Sequence, residues 1–144
     1  MTNEKTIGIG IVGAGFARTT QIPGFQNCEG ARVVAITSRH RENAEKAAKE
    51  FDIEHVAEDW RELVQRDDVD LVSVVTPPST HMEITLAALA HGKAVLCEKP
   101  MAMNAGEAKR MTEKAGEAGV IGDGALAFLR INAHVFDNQR HQYK

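Results

Sequence analysis

One stretch limits the fold of this chain more than any other. Ile7-Gly8-Ile9-Gly10-Ile11-Val12-Gly13-Ala14-Gly15-Phe16-Ala17 is an apolar run that enters a glycine turn. A strand that ends in glycines and hands over to a helix presents bare backbone N–H groups at a helix N-terminus, where a pyrophosphate binds. A side chain at the point of closest approach would push the phosphates away.

Two registers compete for this signal. Gly8, Gly10 and Gly13 satisfy the literal G-x-G-x-x-G spacing. That register would leave only the polar segment from Met1 to Thr6 for the strand, whereas a central parallel strand is continuously apolar. The second register makes Ile7 to Val12 the strand and Gly13-Ala14-Gly15 the turn. Gly13 then turns the chain and Gly15 admits the phosphates. Arg18 stands where a third small residue belongs, and Ala17 comes one position early, so the loop reads as one residue short. A glycine motif alone is weak evidence, and its context has to decide.

The context is a pattern of alternating elements. Ala17 to Gln26 reads as a short helix interrupted or ended around Pro23-Gly24, and Ala31 to Thr37 as an apolar strand. Arg41 to Phe51 is a helix with Ala44, Ala47, Ala48 and Phe51 on one face. His55 to Ala57 forms a short edge strand. Asp59 caps a helix through Gln65, with Trp60, Leu63 and Val64 turned inward. Asp70 to Thr76 is a buried strand halted by Pro77-Pro78. Thr80 to His91 is a helix stopped by Gly92, Ala94 to Cys97 a further strand, and Asn104 caps a helix to about Ala118. Alternating β and α elements with short connections predict an α/β fold, a doubly wound parallel sheet in one domain.

The expected domain is 1–122, and 123–144 forms a divergent segment. Gly119 to Gly122 suggests a strand that Asp123-Gly124 interrupts. Ala125 to Phe136 has mixed periodicity and is a candidate interface segment, and Asp137 to Lys144 is polar and expected to fray. With 144 residues, 43% of them hydrophobic, and a net charge of −3, the chain has room for one real core. That charge argues against general nucleic-acid or membrane-surface binding. No apolar run reaches a membrane span, and residues 1–5 lack a signal peptide's apolar core. Cys28 and Cys97 are too few for a disulfide framework, which points to the cytoplasm.

In a doubly wound sheet, ligands bind beyond the carboxyl ends of the strands. That rule selects Gly13 to Phe16, Ser38 to Arg41, Thr76 to His81, and Glu98 to Pro100. The second junction bears on the nucleotide. A site for NAD typically has an acidic residue there for the ribose 2′-hydroxyl. Here the residues are Thr37-Ser38-Arg39-His40-Arg41. A hydroxyl and two guanidinium groups suit a 2′-phosphate, which predicts NADP over NAD. The duller reading makes Arg39 and Arg41 solvated residues of a helix's first turn, although cations there oppose the helix dipole.

Taken together, Gly13-Ala14-Gly15-Phe16, Ser38-Arg39, Thr76-Pro77-Pro78-Ser79-Thr80-His81 and Cys97-Glu98-Lys99-Pro100 resemble the N-terminal domain of the glucose-fructose oxidoreductase/inositol dehydrogenase (Gfo/Idh/MocA) family. The resemblance covers about Lys5 to Ala118. It implies NAD(P)-dependent oxidation or reduction of a sugar, cyclitol or related compound. It further implies that Gly13, Ala14, Gly15 and Phe16 line the pyrophosphate, and that Ser38 and Arg39 meet the adenosine ribose or its phosphate. Thr76, Pro77 and His81 would flank the nicotinamide-side ribose and diphosphate. Glu98 and Lys99 would approach the nicotinamide, with Lys99 polarising or deprotonating the reacting oxygen. Pro100 would fix the turn that aims Lys99, through a cis peptide bond.

Several residues have plainer readings. His81 stands evenly between a site role and a capping or surface role. Cys97 is expected to be a small buried residue, and Trp60 core rather than a stacking platform. His134 and His141 lack carboxylate support, so no metal is expected. The resemblance further implies a second domain that completes the substrate site, and these 144 residues are expected to supply only the first. The expectation is therefore a cofactor-binding domain, incomplete without a second domain and homo-oligomeric. The alternative is a non-catalytic nucleotide-binding or dimerising module.

Overall fold

The computed structural model describes residues 5–118. The expectations for Gly119 to Gly122, for Ala125 to Phe136 and for the tail with His134 and His141 lie outside them. The described chain runs β1 (Ile7–Val12), α1 (Gly15–Thr19), α2 (Gln21–Gln26), β2 (Ala31–Thr37), α3 (Arg41–Phe51), β3 (His55–Val56) and α4 (Trp60–Gln65). It continues through β4 (Leu71–Val74), a 3₁₀ turn at Pro78–Thr80, α5 (His81–Ala90), β5 (Ala94–Cys97) and α6 (Ala105–Ala118).

The strands pair in the order β3-β2-β1-β4-β5, all parallel. This is the doubly wound sheet that the alternation predicts. The order reverses between β1 and β4, and at such a switch point the connections leave to opposite faces and open a crevice. Two separate cores follow from that winding. Ile9, Ile11, Ile22, Val33, Ile36 and Ala47 fill one face, beneath α1 to α3. Val12, Leu63, Val72, Val74, Ile84, Leu89, Val95 and Met111 fill the other, beneath α4 to α6.

The helix ends follow local chemistry. Asp59 accepts a hydrogen bond from the Glu62 backbone N–H at 2.9 Å, and Asn104 does the same for Glu107 at 2.9 Å. Gly92, at φ 76°, ends α5 in the left-handed region that a β-carbon disfavours.

One expectation is corrected. The single helix predicted over Ala17 to Gln26 starts earlier, at Gly15, and breaks at Thr20 (φ −130°, ψ −65°) rather than at Pro23-Gly24. Pro23 sits in the first turn of α2, where its missing N–H has no intrahelical acceptor to lose. Gly8 and Gly10 also acquire a role that the motif reading did not assign. A β-carbon on Gly8 would lie 1.8 Å from the Asp68 carbonyl oxygen, and one on Gly10 would lie 2.6 Å from Leu63 Cδ2. These glycines pack β1; they do not turn the chain.

Candidate functional site

The second glycine register is the one that folds. Gly13, at φ 106°, makes the turn, and its N–H donates to the Thr37 carbonyl at 2.9 Å. A β-carbon there would meet the Val75 carbonyl oxygen at 2.6 Å, so the backbones after β1 and β4 touch at this point. Gly15 opens α1, and a β-carbon on it would meet nothing within 4 Å. Gly13 is therefore required by the protein's own packing, whereas Gly15 leaves open space in front of the backbone. The small residue that packs the first helix inward is Ala17, at 0% exposure, while Arg18 turns outward and its Nε donates to Glu50 on α3 at 2.9 Å.

A cleft of about 380 Å³ lies along the carboxyl ends of β1, β2 and β4. Gly13, Ser38, Arg39, Thr76 and Pro77 line it, as the strand-end rule predicts. Glu58, Asp59 and Trp60 form its far wall, and sequence reading did not place them there. The signal was available: Glu58 and Asp59 follow the carboxyl end of β3, a strand the rule was not applied to. Trp60, expected in the core, is half-buried; it packs against the core and also faces the cleft, with the Arg61 guanidinium carbon 4.2 Å from its ring centroid. A guanidinium over an indole face is a cation–π contact. Glu62 braces this wall. It accepts from the Glu58 backbone N–H and faces His55 Nε2 at 2.6 Å, and these two bonds hold its carboxyl below the usual carboxylate range.

The two arginines nominated for the 2′-phosphate differ. Arg41 Nε donates to Glu45 at 2.8 Å and its Nη1 lies 3.6 Å from Glu58, so its charge is already matched. Arg39 lines the cleft, is exposed, and makes no hydrogen bond or ion pair among the described residues.

The remaining predicted residues lie towards β5. The Glu98 N–H donates to the Val74 carbonyl at 2.9 Å, which sets the start of the turn against β4. The Glu98 carboxylate is taken up by Gln21 Nε2 at 2.9 Å and by the Lys99 N–H at 3.1 Å. Gln21, which the sequence did not single out, leaves its Oε1 buried with no hydrogen-bond partner. Lys99 is exposed, and its ammonium makes no contact of this kind among the described residues. The Lys99–Pro100 bond is cis, as the resemblance implied. Phe16 is 52% exposed. His81 is 0% exposed and lies behind the loops, not in the cleft.

Cys97 is buried, as expected, and burial is the main reason its thiol is pushed up to about 12 from 9.0. Thiolate chemistry is closed to it at neutral pH. In the folded protein a thiol reagent at neutral pH is expected to label the exposed Cys28 rapidly and Cys97 only at the rate of unfolding, as mass spectrometry of timed samples would read. The raised value also fixes a sign: the neutral buried thiol's contribution to stability is complete below about pH 9 and is lost as pH climbs towards 12. Among the described residues, no cluster of three or more His, Cys, Asp or Glu is placed to hold a metal, and no helix is long and apolar enough to cross a membrane.

Residues 7–122 match the family described as "Oxidoreductase family, NAD-binding Rossmann fold". The chain is 40% identical over 110 residues to inositol 2-dehydrogenase of Gluconacetobacter diazotrophicus, covering 75% of this chain and 33% of that protein. It is 39% identical over 133 residues to 1,5-anhydro-D-fructose reductase of Ensifer adhaerens, covering 92% of this chain and 38% of that one. Among solved structures, KijD10, a 3-ketoreductase from Actinomadura kijaniata in complex with NADP, matches with a TM-score of 0.75 and 34% identity. That match covers 80% of this chain and 37% of the other. The chain thus spans about a third of the length of the curated relatives it matches.

Proposed function

Because the chain belongs to the oxidoreductase family with an NAD-binding Rossmann fold, we propose that it is the nicotinamide-dinucleotide-holding part of an oxidoreductase acting on CH–OH groups of sugars, cyclitols or related compounds, with NADP preferred over NAD. The observation that carries this reading is a convergence in one crevice. The Gly13 turn, the uncommitted Arg39 guanidinium and the Thr76-Pro77 edge line the same cleft, and the open Gly15 position follows that turn in the adjoining hollow with Ala14 and Asn43.

The residues fit the dinucleotide. Gly13, Ala14, Gly15 and Phe16 offer a backbone approach with no β-carbon in the way at Gly15, which suits the pyrophosphate. Ser38 and Arg39 offer a hydroxyl and an unmatched guanidinium for the 2′-phosphate, and Arg41 assists by neutralising Glu58. Thr76 and Pro77 hold the neighbouring edge. Glu98 is positioned by Gln21, and Lys99 stands at the reacting end. Bound nicotinamide supplies the hydride donor or acceptor. The Lys99 ammonium holds a proton at Nζ and stabilises the charge that develops on the substrate oxygen as the C–H bond forms or breaks. Orienting that substrate requires a walled site, and the reading therefore includes a further domain that completes it.

Residues 1–122 are the dinucleotide unit in this reading, and 123–144 a distinct segment. Two large apolar side chains, Phe16 at 52% and Met103 at 60% exposure, stand in segments that follow the carboxyl ends of β1 and β5. They support association with another domain or copy, a homo-oligomer in the simplest form. The two cysteines, one exposed and one buried, support a reducing cytoplasm.

Titration calorimetry of the chain with NADPH and, separately, NADH tests this reading. The expected result is binding of both, with NADPH tighter by roughly tenfold or more, the worth of a charge-assisted contact to one extra phosphate. Binding of neither would favour the non-catalytic scaffold reading, and NADH tighter than NADPH would remove the 2′-phosphate assignment.

A further inference from the structure

His81, the first residue of α5, is 0% exposed although it follows a proline-rich turn at the mouth of the crevice. Its Nδ1 lies 2.9 Å from the Pro100 carbonyl oxygen, and its Nε2 lies 2.6 Å from the Thr76 carbonyl oxygen. The two nitrogens point to opposite sides of the ring, so the imidazole spans the space between the segment after β4 and the segment after β5. Neither carbonyl can donate. Each contact is a hydrogen bond only when the facing nitrogen carries the proton, and both bonds together need both nitrogens protonated.

What the ring connects is as informative as how it does so. Thr76 forms the crevice edge beside Pro77, and Thr80 Oγ1 lies 2.7 Å from Thr76 Oγ1, which stiffens that edge. Pro100 follows Lys99 directly. The Lys99 side chain has no tether of its own among the described residues, so the position of its ammonium is inherited from the backbone on either side. On one side the Lys99 N–H is held by Glu98 at 3.1 Å. On the other, the Pro100 carbonyl is held by His81.

We propose that His81 is a positioning residue, a buried clasp that ties the Thr76–Pro77 edge of the crevice to the turn carrying Lys99 and so sets where the Lys99 ammonium stands. The inference rests on the reading of Lys99 and the crevice given above. It assigns His81 no contact with cofactor or substrate. Residues that aim a reacting group through its backbone act in this way, because a small error in placement outweighs a change in affinity.

Carbon-13 NMR of the chain with reductively methylated lysines tests it. The Lys99 signal is assigned by its absence in Lys99→Arg. His81→Asn keeps a donor near the Nδ1 position, and His81→Gln keeps one near Nε2, so each variant preserves one half of the clasp. With His81 intact, NADPH is expected to shift the Lys99 signal. In both variants that shift, read at saturating NADPH, should fall by about threefold or more. A Lys99 response unchanged in either folded variant, with NADPH still bound, overturns the clasp. A wild-type chain that binds no NADPH overturns the cofactor reading instead. The clasp is then judged on the Lys99 signal of the cofactor-free chain, which should differ between wild type and variants, and coincident signals would overturn it.

Discussion

Arg39→Asp is expected to weaken NADPH binding by roughly 10- to 100-fold and to spare or improve NADH binding, as calorimetry would read. A hydrogen bond to a charged group contributes about 1.5–3 kcal/mol, and every 1.4 kcal/mol is about tenfold in affinity. The size of the effect depends on the guanidinium being uncommitted. Arg39 lines the cleft without an ion pair among the described residues, so its full hydrogen-bonding capacity is available to a phosphate. The aspartate would instead stand beside Glu58 and Asp59 in the same cleft, adding a third carboxylate at the position proposed for the 2′-phosphate. Arg41→Ala provides the internal comparison. Arg41 already spends its charge on Glu45 and Glu58, and its loss should change NADPH affinity by only a few-fold. Equal effects of the two substitutions would show that the cleft does not discriminate between them and would remove Arg39 from its assigned role.

The largest effect on stability is expected at Gly8. Gly8→Ala should lower the unfolding free energy by about 3 kcal/mol or more, at or beyond the upper end of ordinary overpacking, as denaturant titration would measure. A β-carbon would lie 1.8 Å from the Asp68 carbonyl oxygen, a backbone atom that cannot rotate away. Nor can β1 slide clear. The Gly8 N–H donates to Asp70 Oδ2 at 2.9 Å, and the Gly8 carbonyl accepts from the Asp70 N–H at 2.7 Å. At Gly10 the obstacle is Leu63 Cδ2 at 2.6 Å, the end of a side chain that can repack, so Gly10→Ala should cost less, about 1–2 kcal/mol. Gly15→Ala should leave stability nearly unchanged, because its β-carbon meets nothing within 4 Å, while weakening dinucleotide binding. The three glycines thus separate packing from ligand access along one motif.

That separation shows where the sequence stopped being sufficient. The strand register was legible because a six-residue apolar run has few ways to sit in a parallel sheet, and rejecting Gly8-x-Gly10 in favour of Gly13-x-Gly15 followed from it. Why β1 carries Gly8 and Gly10 was not legible. The reason lies in the Asp68 carbonyl and the Leu63 side chain, which come from the β3–β4 connection more than fifty residues later in the chain. The break at Thr20 was missed for a related reason. Proline is usually the stronger local signal, but its position within the first helical turn decides whether it disrupts anything.

The candidate site divides in the same way. Local sequence was enough to nominate Gly13, Ser38, Arg39, Thr76 and Lys99, because each follows a recognisable strand and the doubly wound fold collects strand ends on one edge. It could not rank Arg39 against Arg41, since the carboxylates that neutralise Arg41 include Glu58, seventeen positions away. It could not decide between the two readings of His81, because burial is a property of what packs around a residue and not of its neighbours in sequence. It also overlooked Gln21, whose partner Glu98 lies seventy-seven residues away.

The sequence by itself determined the layer architecture, the strand that opens it and the family of its strand-end motifs. These depend on periodicity, turn chemistry and capping, all of which act over a few residues. Tertiary structure alone decided which charges are free, which glycines serve packing and which histidine is buried. Those outcomes depend on distances between segments far apart in the chain, and no local pattern encodes such a distance.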